Sequence, residues 1–325
     1  MARHNVHVLA TGGTIASTGR EEGGATPELD GEALVEAVPG LADLADLTVL
    51  DIADSPGFDM QLSTVARLRG YVRAHADADG FVVTHGTDTL EETAYALDLL
   101  TGGPPVVCTG AQRRPDERSA DGPANLHLAV RAAVADRVRA AGGAYVAFDD
   151  ELHAARDVTK AHTAALDTFQ SPDGGPLARA TRAKFRWYRE PGTRGADLDT
   201  VDPGLRVPIV VSGTGVPGNR LRRVIEAGAD GVVVAGTGLG NVTASLGEAI
   251  QEGMSDCPVV VASRCHAGPT EPVYGTPGGA HTLAGAGALF AGALQPWKAR
   301  IKLLLALATG GGERARAVFE TGTAP

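Results

Sequence analysis

Short β-branched runs alternate with stretches of helical periodicity from one end of the chain to the other. Strands are predicted at Val6–Ala10, Leu47–Ile52, Gly80–Thr84, Pro105–Thr109 and Gly143–Phe148. Between them, apolar residues recur at helical spacing over Gly31–Val38, Leu62–Ala76, Leu90–Leu100 and Ala124–Ala141. Strands taking turns with helices at this interval argue for βαβ units and a mostly parallel sheet. A second series follows, with strands at Val207–Val211, Gly231–Ala235 and Pro258–Ala262 and helices at Asn219–Ala227 and Ala244–Gly253. A closing helix, Pro296–Ala308, has Pro at its start and the Gly310–Gly312 run beyond its end. Two runs rich in Pro, Gly and Asp, Ser171–Pro176 and Glu190–Gly204, predict the boundary of a first domain. The expected fold is therefore α/β: a larger N-terminal doubly wound sheet domain over residues 1–190, a linker over 191–206, and a smaller C-terminal α/β domain over 207–325.

Composition narrows the partners. Apolar residues make up 43% and charged residues 21% of 325 positions, which excludes wholesale disorder. With 43 Gly and only 4% aromatic residues, the chain predicts many turns and a core of small aliphatic side chains. Asp and Glu outnumber Lys and Arg by 39 to 29, and the resulting charge of −10 repels nucleic acid and anionic membrane surfaces. Three cysteines make no framework of bridges, and Cys108 and Cys257 lie in strand-like runs, as suits a reducing compartment. No segment reaches the roughly 18 apolar residues of a membrane span. The apolar stretch at the N-terminus is short for a secretory leader. The expected location is cytoplasmic.

In open parallel sheets, ligands bind at the carboxyl ends of the strands. After the first strand comes Thr11-Gly12-Gly13-Thr14, and after the third His85-Gly86-Thr87-Asp88-Thr89. After the fifth, a polar excursion ends in Arg156-Asp157-Val158-Thr159-Lys160. Taken singly, these are a glycine-rich turn, a helix cap and a surface lysine. Together they place two hydroxyls, a carboxylate and an amine at strand ends of one sheet. A threonine hydroxyl attacks a carbonyl only if a neighbouring group takes its proton, and Lys160 with Asp88 suits that relay. Thr89 and Glu92 form a capping-box pattern, so backbone N–H donors of a helix start are expected beside Thr87 to favour an oxyanion or carboxylate. These are the parts required for acyl transfer from an amide or ester.

Two of these strings, ATGGTIAS (Ala10–Ser17) and THGTDTLEETAY (Thr84–Tyr95), resemble the signature segments of the bacterial-type L-asparaginase and glutaminase-asparaginase family. Similarity continues at Arg156–Lys160, Thr168–Pro172, Gly238–Asn241 and Pro296–Arg300, in order along nearly the whole chain. The resemblance implies a two-domain α/β fold, no metal or organic cofactor, and a homo-oligomer, dimer or tetramer, with a small amino-acid substrate. It implies Thr14 as first nucleophile, and Thr87, Asp88 and Lys160 as a second triad. Asp88 would also hold the substrate amino group, and Asn241 would reach the site of a neighbouring subunit. The implied reaction converts L-asparagine to L-aspartate and ammonia through a threonine acyl-enzyme, with weaker action on glutamine.

The chain departs from the family pattern at three functional positions. Ser17–Leu29, the segment expected to close over substrate as a mobile lid, contains no Tyr. Where the family carries a Ser-Gln pair for the substrate carboxylate, this chain reads Ser55-Pro56-Gly57-Phe58-Asp59-Met60, which puts Gly57 and Phe58 at the binding positions with Ser55 nearby. A second-subunit Glu has no clear counterpart, although Glu271 is close in sequence. The missing Tyr and the altered carboxylate pocket motivate one alternative, a catalytically silent amino-acid sensor on the same scaffold; a rival within enzymology is the ammonia-releasing amidase subunit of a tRNA-dependent amidotransferase. Gly213–Gly218 matches a dinucleotide fingerprint, but no acid ends the next strand to hold a ribose. Cys265-His266 lacks an orienting acid, and His4 and His7 face opposite sides of a strand, so neither a thiol nucleophile nor a metal site is expected.

Overall fold

The computed structural model describes residues 3–20, 24–27, 29–192, 198–255 and 257–321. The chain divides into two compact units after position 197. The first begins with β1 (Asn5–Ala10), an antiparallel hairpin of β2 (Ser17–Arg20) and β3 (Gly24–Pro27), α1 (Gly31–Glu36) and β4 (Asp46–Asp51). It continues through α2 (Leu62–Ala74), β5 (Gly80–Thr84), α3 (Leu90–Leu100), β6 (Val106–Thr109), α4 (Gly122–Ala133), α5 (Asp136–Ala141) and β7 (Ala144–Phe148). Five of these strands pair in parallel in the order β7-β6-β5-β1-β4. The chain thus starts in the interior of the sheet, moves to β4 on one side, and returns to β5 on the other. Such a reversal opens a crevice between the ends of β1 and β5, and this is where doubly wound sheets bind ligands.

The central strands are buried on both faces, and their alternating side chains feed two separate cores. Val6, Val8, Val82 and Val107 pack with Leu34 of α1, Leu126 and Val130 of α4 and Val138 of α5. Leu9, Phe81, Val83 and Cys108 face the other way, onto Leu68 of α2 and Leu90, Ala94 and Leu97 of α3. The helix expected over 124–141 is two helices. Ala135 adopts an extended conformation between them, and the bend carries Val138 into the same core as Leu126.

Beyond β7 the sheet becomes mixed. Asp149 and Asp150, both at positive φ (46° and 64°), turn the chain back into β8 (Glu151–Ala154). Next come β9 (Thr159–Lys160) and β10 (Phe169–Gln170), a separate antiparallel pair. Then β11 (Ala178–Ala180) and β12 (Phe185–Trp187) extend the edge of the large sheet beyond β8. Ser171–Pro176, expected at a domain boundary, is instead a turn inside this unit, closed by Gly175 N–H donating to the Ser171 carbonyl. Of the expected lid, Ser17–Arg20 and Gly24–Pro27 form the β2–β3 hairpin, while residues 21–23 and 28 lie outside the described residues. Positions 193–197 of the expected linker also lie outside them.

The second unit is a smaller parallel sheet with helices. Its strands β13 (Ile209–Val211), β14 (Val232–Gly236), β15 (Val259–Ser263) and β16 (Leu289–Phe290) pair in chain order. Leu221 of α6 (Asn219–Glu226), Leu246 and Ile250 of α7 (Ala244–Gly253) and Leu283 of α8 (Ala280–Ala286) pack with Val210, Val232, Val234, Val259 and Val261 of the sheet. The closing helix α9 (Pro296–Thr321) is interrupted at Gly310 and Gly311. The glycine run therefore does stop the first helical segment, and a further helical segment follows it.

Candidate active site

Three loops meet at the carboxyl ends of β4, β1 and β5. The strand register sets Ala10 beside both Asp51 and Thr84, so residues 11–14, 52–58 and 85–88 leave the sheet at one level. Thr11 fastens two of them: its N–H and its hydroxyl both donate to the Thr84 carbonyl, at 3.1 and 2.8 Å. Its own carbonyl accepts from Ser55 N–H at 3.1 Å. The closest contacts are backbone on backbone. A Cβ on Gly86 would lie 2.5 Å from the Gly57 N and Cα, and a Cβ on Gly13, which is at φ +88°, would collide with Gly86 N. Gly13, Gly57 and Gly86 therefore form a junction that no side chain can enter. The residue following each glycine, Thr14, Phe58 or Thr87, is displayed around that junction.

Local hydrogen bonds hold this geometry. His85 is fully buried, with Nδ1 2.7 Å from the Gly86 carbonyl and Nε2 2.9 Å from Thr93 Oγ1. A carbonyl only accepts, so Nδ1 carries the proton and Nε2 accepts from the Thr93 hydroxyl. Burial pulls the imidazole pKa down to about 4, against a small upward pull from the Gly86 carbonyl. A neutral His85 thus fixes the peptide that leads into Thr87. Thr89 opens α3, but its hydroxyl donates to the Gly57 carbonyl at 2.6 Å and does not cap the helix. The Thr89 half of the expected capping box is replaced by a tie between two of the loops.

The chemistry gathers at Lys160. Its Nζ donates to Thr87 Oγ1 at 2.8 Å and to Asp88 Oδ1 at 2.7 Å. Thr87 is buried, and the side chains of Lys160 and Asp88 are 14% and 53% exposed. One face of the relay is therefore sealed in protein and the other is open to a ligand. Thr14 begins a single 3-10 turn directly after Gly13 and is half-buried, and the Gly13–Gly86 contact brings its loop against that of Thr87. Ser55 is half-buried, Gly57 is buried in the junction, and the Phe58 side chain is 77% exposed. On the β4 side of the Thr11–Thr14 turn, a cavity of about 280 Å³ is lined by Gly12, Leu29, Asp30 and Asp54 among others. Asn241 belongs to the second unit, where its Oδ1 accepts from Ala280 N–H at 3.0 Å. Among the described residues, no group of three or more His, Cys, Asp and Glu side chains is arranged to hold a metal ion.

One buried side chain escaped the sequence reading. Glu91, in the first turn of α3, accepts from Thr159 Oγ1 at 3.1 Å and from Lys160 N–H at 2.8 Å, both on Oε1. The sequence carries only a faint signal, a glutamate directly after Leu90 in an otherwise largely apolar helix, and the structure buries that helix on nearly every side. The capping-box pattern singles out Glu92 instead.

Comparison with known proteins covers both units. The family model described as "Asparaginase, N-terminal" matches residues 5–193, and "Glutaminase/Asparaginase C-terminal domain" matches residues 206–319. The chain is 37% identical over 314 residues to the probable periplasmic L-asparaginase of Haemophilus influenzae, covering 93% of this chain and 88% of that protein. It is 36% identical over 318 residues to L-asparaginase 2 of Escherichia coli, covering 94% and 90%. It is 35% identical over 262 residues to the glutaminase-asparaginase of Pseudomonas fluorescens, covering 76% and 72%.

Proposed function

This chain belongs to the asparaginase family, and from that membership we propose that it hydrolyses the side-chain amide of L-asparagine through Thr14, Thr87, Asp88 and Lys160. The observation that carries the reading is the pair of hydrogen bonds from Lys160 Nζ to Thr87 Oγ1 and Asp88 Oδ1, made beside the turn that presents Thr14. In the first half-reaction, Thr14 Oγ attacks the amide carbon and gives up its proton. The amide nitrogen takes a proton and leaves as ammonia, and an ester to Thr14 remains. In the second, water attacks that ester as the Thr87–Lys160–Asp88 relay takes its proton, the relay returns a proton to Thr14 Oγ as the ester bond breaks, and aspartate departs with the Thr14 hydroxyl restored. Backbone N–H groups of the glycine-rich loops stabilise the oxyanion of each tetrahedral intermediate. Asp88, open on one side, pairs with the α-ammonium of the substrate.

Glutamine is a weaker substrate in this reading, in keeping with the glutaminase-asparaginase name of the Pseudomonas relative. The enzyme is a homo-oligomer, dimer or tetramer, in which Asn241 contributes to a neighbouring subunit's site. It works in the cytoplasm, where the exposed thiol of Cys265 stays reduced. Light scattering and cell fractionation test these two points.

Ammonia release from asparagine, glutamine and short amides tests the activity. Thr14→Ala and Thr87→Ala are each expected to lower turnover by about 10²–10³ or more, the scale of removing an oxyanion donor. A variant that keeps most of its turnover would remove that residue from the chemistry. Phe58, apolar and exposed where a carboxylate-binding residue was expected, favours one second reading, a sensor that binds an amino acid without turning it over. Thermal stabilisation by asparagine with no ammonia produced would establish that reading instead.

A further inference from the structure

Lys160 stands on β9, a two-residue strand whose ladder partners are Phe169 and Gln170 of the equally short β10. That pairing is local and gives the lysine no fixed relation to Thr87, which lies 73 positions earlier. Val158 and Phe169 pack in the core shared with α3, and the direct polar tie to the start of that helix comes from Glu91. It is 4% exposed, and its Oε1 receives both the Thr159 hydroxyl and the Lys160 backbone N–H. Thr159 is itself 2% exposed, so the bond from its hydroxyl is buried, where a broken one is costly, and the bond from Lys160 N–H is part-buried. Glu91 also sits in the first turn of α3, whose N-terminal partial charge favours a carboxylate.

We propose that Glu91 is the positioning residue for Lys160, holding its backbone while Thr87 and Asp88 hold its side-chain nitrogen. The same short segment, Thr87 to Glu91, thereby grips the lysine at both ends and closes a ring: Thr87 and Asp88, the start of α3, the Glu91 carboxylate, the Lys160 amide, and the Lys160 side chain back to Thr87. Displacement of the short β9–β10 pair away from the start of α3 breaks the two hydrogen bonds to Glu91. Glu91 touches neither substrate nor the reacting atoms in this account and acts through Lys160 alone. The inference rests on the proposed hydrolysis for its kinetic consequence, and on geometry alone for the anchoring.

The test compares Glu91→Ala, Glu91→Gln and Thr159→Val in the full-length protein, each with and without Lys160→Met. Glu91→Ala is expected to lower turnover about ten- to hundredfold, the cost of a catalytic group displaced by about an ångström. Glu91→Gln keeps a carbonyl oxygen that can accept both bonds and is expected to stay within about threefold of the parent. Thr159→Val, which removes one of the two bonds, is expected to fall between them and keeps the test open if Glu91→Ala does not fold. In the Lys160→Met background all three changes should cost nothing more, because the residue they position is gone. Losses that persist at full size in that background would overturn the proposal. So would a Gln variant as impaired as the Ala variant. A second readout needs no turnover: the rate at which acetic anhydride acylates Lys160, followed by peptide mass spectrometry. It should rise severalfold in Glu91→Ala and not in Glu91→Gln, and an unchanged rate in Glu91→Ala would overturn the anchor. Faster labelling of that variant in a protein that releases no ammonia would uphold the anchor and defeat the hydrolase reading.

Discussion

His85 shows how a single side chain links the site to acid stability. Its folded-state pKa of about 4 lies below the 6.5 of an unperturbed histidine, because the ring is buried and neutral. Between those two values the unfolded chain binds a proton that the folded one refuses. The stabilisation is therefore complete above pH 6.5 and is lost as the pH falls towards 4. At 1.36 kcal/mol for each pKa unit, the whole loss is about 3 kcal/mol, a large part of the stability of an ordinary domain. His85→Gln removes this titration. Urea midpoints measured between pH 7 and pH 4 should fall less steeply for the variant than for the parent. Equal slopes would show that the buried ring is not what makes the fold acid-sensitive.

At the scale of elements, the site depends on how closely three loops approach. Gly86→Ala would push a methyl into the backbone of Gly57 from 2.5 Å, and neither partner is a flexible side chain that can give way. Overpacking of this kind costs about 1–3 kcal/mol and moves one loop off another. The expected outcome is a lower melting temperature together with a loss of turnover of about a hundredfold or more, because Thr87 moves with Gly86. A variant with normal kinetics would mean that the junction is not what aligns the threonines. The parallel strands and the helices that cover them were legible from sequence because β-branched runs and helical spacing survive in a buried sheet. The short strands between 149 and 180 were not. Asp149-Asp150 turns with positive φ but lacks the Asn-Gly or Asp-Gly pair that marks such turns, and strands of two to four residues carry too few positions to show alternation. Lys160, Thr87 and Asp88 were found from their places after strand ends and from the family strings. Glu91 was not, because its role lies in a contact 69 positions away along the chain, and no local pattern reports that.

Over the whole molecule, charge and acid sensitivity act together. The chain carries −10 at pH 7 and reaches zero net charge near pH 5.4. That point falls inside the window in which His85 withdraws its stabilisation, so the fold loosens as mutual repulsion between molecules vanishes. Turbidity should therefore peak near pH 5–6 and be smaller in His85→Gln at equal concentration, as light scattering across the titration would show. Turbidity that tracked net charge alone, with parent and variant alike, would separate the two effects. The glycine junction has a different consequence at this scale. The three loops meet main chain on main chain at Gly13, Gly57 and Gly86, while the side chains of Thr11, His85 and Thr89 tie the strands and loops around that contact. Phe58 leaves that same junction into solvent, so in the proposed hydrolase the side chain beside the substrate and the groups that do the chemistry are different atoms. On that proposed reading, a change at position 58 alters which substrates the site accepts and leaves the glycine contact intact.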